Sequence, residues 1–163
     1  MLFGKFSKNI KRNTSRSIDL PSEVNLPVNE PPTIQITSEF NEVLESIRRK
    51  NKFTFVTGMA GSGKSTLIDL IKKSFDLKLV LVAPTGIAAL NIGGSTIHSV
   101  FRLPFGPCPD AKEIDGYAGL MLKNLDLLII DEISMVRADL LDAISVSLQK
   151  HKKNKQPFGG VQV

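Results

Sequence analysis

A chain of 163 residues with 42% hydrophobic content is enough for one ordinary domain and not two, and its single cysteine, Cys108, excludes an internal disulfide framework or a cysteine metal cluster. No apolar run approaches the roughly 18 residues of a membrane-spanning helix, so a soluble, intracellular protein is expected. The net charge of +5 resides in the first 17 residues, where Lys5, Lys8, Lys11, Arg12 and Arg16 stand without an acid, while the remainder holds 16 basic and 16 acidic residues. The basic balance is thus weak evidence that the folded part binds nucleic acid, although such a tail adds salt-sensitive affinity for phosphate backbones.

Residues 1–36 are rich in Ser, Asn, Pro and Lys without sustained periodicity, and are expected to be a disordered basic tail. The acid-poor opening also suits an organellar presequence, but it lacks the apolar core of a secretory signal. The folded domain is expected over 37–163, beginning with a helix capped by Ser38. There Phe40, Val43, Leu44 and Ile47 share a face, and Arg48, Arg49 and Lys50 suit the negative end.

Phe53–Thr57 then reads as a buried strand. It runs into Gly58-Met59-Ala60-Gly61-Ser62-Gly63-Lys64-Ser65, followed by Thr66 and an amphipathic helix with Leu67, Ile68, Leu70, Ile71 and Phe75 on one face. The pattern G-x-x-x-x-G-K-S/T is met at every fixed position. A polyphosphate carries several negative charges, and backbone N–H groups at a helix N-terminus meet them only if the chain wraps closely, which glycines permit. Lys64 would reach the β- and γ-phosphates of a nucleoside triphosphate, Ser65 would sit on Mg²⁺, and Met59, Ala60 and Ser62 would contribute mainly backbone.

Lys78–Ala83 is a second strand, stopped by Pro84-Thr85-Gly86 before a helix from Ile87. Gly93-Gly94 breaks the chain, and Ser95 or Thr96 starts a short helix through His98 to Phe101. Residues 102–119 read as a surface excursion in which Tyr117 is a partly buried anchor, and Cys108 a plain loop residue. A third, fully buried strand, Leu125–Ile130, runs into Asp131-Glu132. Carboxylates at a buried strand end are costly unless they act. In a protein with a phosphate loop, Asp131 completes the Mg²⁺ shell, and Glu132 is placed to orient or deprotonate the attacking water. A helix over Ala138–Leu148 follows. Alternating strands and helices imply an α/β fold with a parallel sheet and flanking helices.

The segments Gly58–Thr66, Ala83–Leu90, Thr96–Phe101, Leu128–Val136 and Phe158–Val163 closely resemble the Pif1-like DNA helicases of superfamily 1, in order and spacing. Leu103-Pro104-Phe105 and Arg137–Ala143 look most like the bacterial or phage branch. The resemblance covers about residues 37–163 and implies a P-loop NTPase of RecA-like fold that hydrolyses ATP with Mg²⁺. It implies 5′ to 3′ movement on single-stranded DNA and at duplex junctions, in replication, repair, recombination or telomere maintenance, by a monomeric motor. The compartment would be the cytoplasm in a bacterial or phage setting, or the nucleus or mitochondrion in a eukaryotic one.

By resemblance, Thr85 and His98 lie in motifs that contact single-stranded DNA, with Thr96 beside them. The family's adenine-reading glutamine has no counterpart in Ser38–Glu42. The chain stops at Val163, inside a motif expected to continue as a strand between Phe53–Thr57 and Leu125–Ile130, so the 163 residues alone are expected to bind nucleotide at most and to be partly molten. Another P-loop ATPase, such as a loader or small-molecule kinase, is the alternative.

Overall fold

The computed structural model describes residues 36–107 and 110–163. The basic tail, but for Ile36, and Cys108 lie outside the described residues. The elements are α1 (Ser38–Arg48), α2 (Lys64–Ser74), β1 (Leu79–Ala83), α3 (Gly86–Asn91), β2 (Ser95–Thr96), α4 (Ile97–Phe101), α5 (Gly116–Lys123), β3 (Leu127–Ile130) and α6 (Ala138–Lys152). Short 3-10 turns occupy Ile133–Met135 and Pro157–Gly160. The three strands are parallel in the order β2-β1-β3, with Val82 opposite Ser95 and Ile130.

A parallel sheet covered on both faces must point apolar side chains both ways, and β1 and β3 do so by simple alternation. Val80, Val82 and Leu128 enter a core built with Ile97 and Phe101 of α4, Leu122 of α5, and Ile144 and Leu148 of α6. On the opposite face Leu127 packs with Leu44 and Ile47 of α1 and Leu67 and Ile71 of α2, while Leu81 meets Ile68, Ala89 and Ile92. Each fully buried side chain of this kind contributes about 1.5–3 kcal/mol, so the helices are held by their stripes rather than by propensity.

The start of α1 differs by one residue from expectation: Thr37, not Ser38, is the cap, its hydroxyl accepting from the Phe40 amide at 3.4 Å. The basic end of α1 is structural, since Arg48 pairs with Glu45 at 2.6 Å and lies over the Phe75 ring.

The segment expected as a buried strand, Phe53–Thr57, is extended but belongs to no strand, and Phe55 is 77% exposed. A strand exists through its neighbours, and among the described residues this one has a single backbone hydrogen-bonding partner. The Thr54 amide donates to the Val163 carbonyl and the Val163 amide to the Lys52 carbonyl. Gln162 in turn bridges to Leu127 in parallel. Val161–Val163 therefore lies where the expected inserted strand would begin, between β3 and the extended segment. Beyond it is a cavity of about 300 Å³ between the two, lined by apolar groups including Phe53, Leu67, Ile71, Leu127 and Ile129.

The expected surface excursion is pinned more firmly than its composition suggests. Leu103, Ala111 and Ile114 are buried, and α6 reaches over to Ala111 and Ile114 through Lys150 and His151. Tyr117 is not an anchor: it starts α5 with its ring 86% exposed, because the neighbouring Leu122 and Gly119 take the buried side of that short helix.

Candidate nucleotide and DNA site

The phosphate loop folds as its glycines dictate. Gly61 and Gly63 adopt φ of 78° and 86°, left-handed conformations that side chains resist, and Gly63 is the residue from which α2 springs. Gly58 is needed for room rather than conformation, because a Cβ there would lie 2.5 Å from the Ser62 hydroxyl. Lys64 curls back over the loop: its Nζ donates to the carbonyls of Gly58 at 2.8 Å and Met59 at 3.0 Å. The ammonium thus bridges the loop, at the centre of the groups that would surround a phosphate. Ser65 opens to solvent beside it, Thr66 is half-buried, and Met59 and Ala60 are exposed.

At the end of β3 the Asp131 amide donates to the Val82 carbonyl at 2.9 Å, so the last sheet hydrogen bond fixes where this carboxylate emerges. Lys64 and Asp131 line the same cavity and are its only charged residues. The expected full burial of the strand is not met. Leu127 and Leu128 are buried, Ile129, Ile130 and Asp131 are half-buried, and Glu132 is exposed, since the side of β3 toward the cavity is not covered.

Glu132 has φ 51° and ψ 44°. Among the described residues five non-glycine residues have positive φ: Lys50, Arg102 and Lys153 follow helices, where this conformation is common, Phe158 lies in the Pro157–Gly160 turn, and Glu132 follows β3. Such a residue costs about 1–3 kcal/mol and recurs at functional positions. Here it turns the chain out of the sheet and into the Ile133–Met135 turn, closed by the Met135 amide on the Glu132 carbonyl.

A hard divalent cation suits the donors Ser65 hydroxyl and Asp131 carboxylate, since Mg²⁺ is usually held by one or two carboxylates together with substrate phosphates. Among the described residues no cluster of three or more His, Cys, Asp or Glu exists that could cage a metal unaided.

The three residues expected to meet DNA fall on the same edge. Thr85 follows β1, while Thr96, within β2 and paired with Ala83, leads directly into His98. Both threonine hydroxyls already have a structural task, Thr85 capping α3 through the Ala88 amide and Thr96 capping α4 through the Ser99 amide, each at 3.3 Å. His98 is half-buried and stacks on Phe105, centroids 4.5 Å apart and planes 24° from parallel. In parallel strands all carboxyl ends share an edge, which is where ligands of open α/β sheets bind. The phosphate loop, Asp131, Thr85 and Thr96 are brought to that edge.

Two residues escaped the sequence reading. Phe40 packs its ring edge 3.1 Å from where a Cβ on Gly63 would be, so an apolar residue of α1 meets the loop there. Phe105 had only its place in the Leu-Pro-Phe run to mark it, and a run of that kind says nothing about ring exposure.

A profile of the PIF1-like helicase family matches residues 35–163. The human protein named ATP-dependent DNA helicase PIF1 is 36% identical over 146 residues, covering 86% of this chain and 22% of that protein. Its Saccharomyces cerevisiae counterpart is 42% identical over 120 residues, covering 67% and 14%. Among solved structures, Pif1 helicase from Bacteroides in complex with ADP-AlF3 and single-stranded DNA superposes with a TM-score of 0.74 at 45% identity, over 80% of this chain and 32% of that one. This chain thus spans about a fifth of the human relative and a third of the bacterial one. With a phosphate loop, an Asp-Glu strand end and a RecA-like parallel sheet in their matching order, the chain belongs to the PIF1-like helicase family.

Proposed function

We propose that this chain is the nucleotide-binding part of an ATP-dependent DNA helicase that moves 5′ to 3′ along single-stranded DNA toward duplex junctions. The observation that carries it is the convergence, on one edge of the sheet, of the Gly58–Thr66 loop, Asp131-Glu132 and the Thr85, Thr96 and His98 segments. A motor needs phosphate chemistry and strand contact to share rigid elements, and here β1 and β3 carry both.

In this reading Lys64 leaves the Gly58 and Met59 carbonyls to neutralise the β- and γ-phosphates. The loop amides of residues 58–66 cradle the phosphates, Ser65 and Asp131 hold Mg²⁺, and Glu132 takes a proton from the attacking water. Mg²⁺ when bound neutralises charge on the phosphate oxygens. A transition-state cation such as an arginine finger is worth on the order of 10³ to 10⁵ in rate. The resemblance assigns it to parts outside these residues, so they alone are expected to bind nucleotide with little turnover.

The identity to the Bacteroides structures, 42–45% against 36% and 42% for the human and yeast relatives, favours the bacterial or phage branch. In a bacterial or phage setting the protein would be a cytoplasmic motor, which we take to be monomeric and to act in DNA replication, repair or recombination; a eukaryotic source would place it in the nucleus or mitochondrion. The test is ATP hydrolysis by the full-length protein with and without single-stranded DNA, together with unwinding of substrates bearing 5′ or 3′ tails. Hydrolysis indifferent to DNA overturns the helicase reading in favour of another P-loop ATPase, and unwinding from 3′ tails overturns the direction.

A further inference from the structure

Phe105 is 88% exposed, the most solvent-open aromatic ring among the described residues. A chain that buries Phe101 and Leu103 on either side of Arg102 could have hidden this ring as well. Instead Phe105 stacks against the His98 imidazole, nearly parallel, with its outer face open to solvent. The support beneath it is rigid: the His98 carbonyl accepts from the Arg102 and Leu103 amides, and Phe101 and Leu103 are fixed in the core at 1% and 5% exposure.

Arg102 adopts a left-handed backbone at the end of α4 and is exposed. Among the described residues it has no ion-pair partner. An open aromatic face on a preorganised backing, with a free guanidinium in the same turn, matches a nucleobase and its phosphate. An apolar protein partner would leave the cation unmatched. The stack also continues the strand edge where Thr96 and Thr85 lie.

We propose that the outer face of Phe105, backed by His98, is a stacking platform for one base of single-stranded nucleic acid, with Arg102 meeting a flanking phosphate. The inference rests on the helicase reading for the presence of a strand at this edge, and adds to it a residue that grips bases without reading their sequence. Every base offers a π-face, so the platform is tolerant of sequence.

The test is binding of full-length protein to a fluorescent oligothymidine and to an oligonucleotide of equal length and charge lacking its bases. Phe105→Ala is expected to weaken oligothymidine binding about tenfold, to change binding of the abasic strand by less than about twofold, and to leave ATP affinity unchanged. Phe105→Trp is expected to restore oligothymidine affinity. Because the ring is exposed, either variant should fold. Equal losses on both strands, or no loss on either, overturn the platform while leaving the helicase reading intact. Failure of the unsubstituted protein to bind single-stranded DNA overturns both.

Discussion

Replacing His151 by Phe probes the clamp that holds Ala111 and Ile114 to α6. His151 is 6% exposed, and its Nδ1 lies 2.7 Å from the Ser147 carbonyl. A carbonyl only accepts, so Nδ1 carries the hydrogen and Nε2 is left to accept from the Ile114 amide at 2.9 Å. Ile114 is itself buried, so without that acceptor its N–H has no water to turn to. An unsatisfied buried donor costs about 1–3 kcal/mol. Phe keeps an aromatic ring there while removing the Nε2 acceptor, together with the Nδ1 bond to Ser147; His151→Ala instead adds a cavity at roughly 24 cal/mol per Å³.

The readout is hydrogen–deuterium exchange of residues 110–116 in the full-length protein. At 1.4 kcal/mol per tenfold, the Ile114 amide should exchange roughly 5- to 150-fold faster in His151→Phe, and faster still in His151→Ala. Unchanged protection of Ile114 in His151→Phe would refute the assignment of Nε2 as its acceptor.

Three further outcomes are expected. Lys64→Ala should weaken ATP binding at least tenfold, whereas Glu132→Gln should keep ATP affinity and abolish turnover; turnover surviving in Glu132→Gln removes its role as base. Gly159 and Gly160 both have left-handed backbones, φ 63° and 80°, so alanine strains either; Gly159→Ala should lower the melting temperature more, because its Cβ would sit 2.6 Å from the Leu148 carbonyl oxygen, whereas at Gly160 it meets only side chains of Asn154 and Gln156. Hydrogen bonding to Thr37 holds the Glu39 carboxyl below its usual value of 4.5, so its contribution is present at neutral pH and lost as pH falls through that lowered value. Glu39→Gln should therefore melt earlier than the parent at pH 7, and the gap should close on acidification below pH 4.5.

The nucleotide half of the site was legible because its chemistry is written in consecutive residues. Gly58 to Ser65 and Asp131-Glu132 are local patterns whose geometry follows from glycine conformations and from a strand ending at a carboxylate. The alternation of strand and helix, and a helix start at Ser95 or Thr96, were readable for the same reason. Phe53–Thr57 has strand composition, but composition cannot supply a neighbour, and the segment finds only Val163. The Tyr117 ring, expected as a partly buried anchor, and the Phe105 ring, for which the sequence offered no expectation, are alike in exposure and show the same limit. Which side of a turn is buried depends on what arrives from distant sequence.

By itself, then, the sequence determined that this chain carries a phosphate-loop pattern, ends a strand in two carboxylates and alternates strands with helices, because each of these is set by residues within a few positions of one another. Only the tertiary structure decided that His151 clamps Ile114 across 37 residues, that Phe40 meets the phosphate loop, and that Phe105 stands open on His98. Those contacts are made by helix stripes packing on both faces of one sheet, and no local pattern encodes which residues such packing brings together.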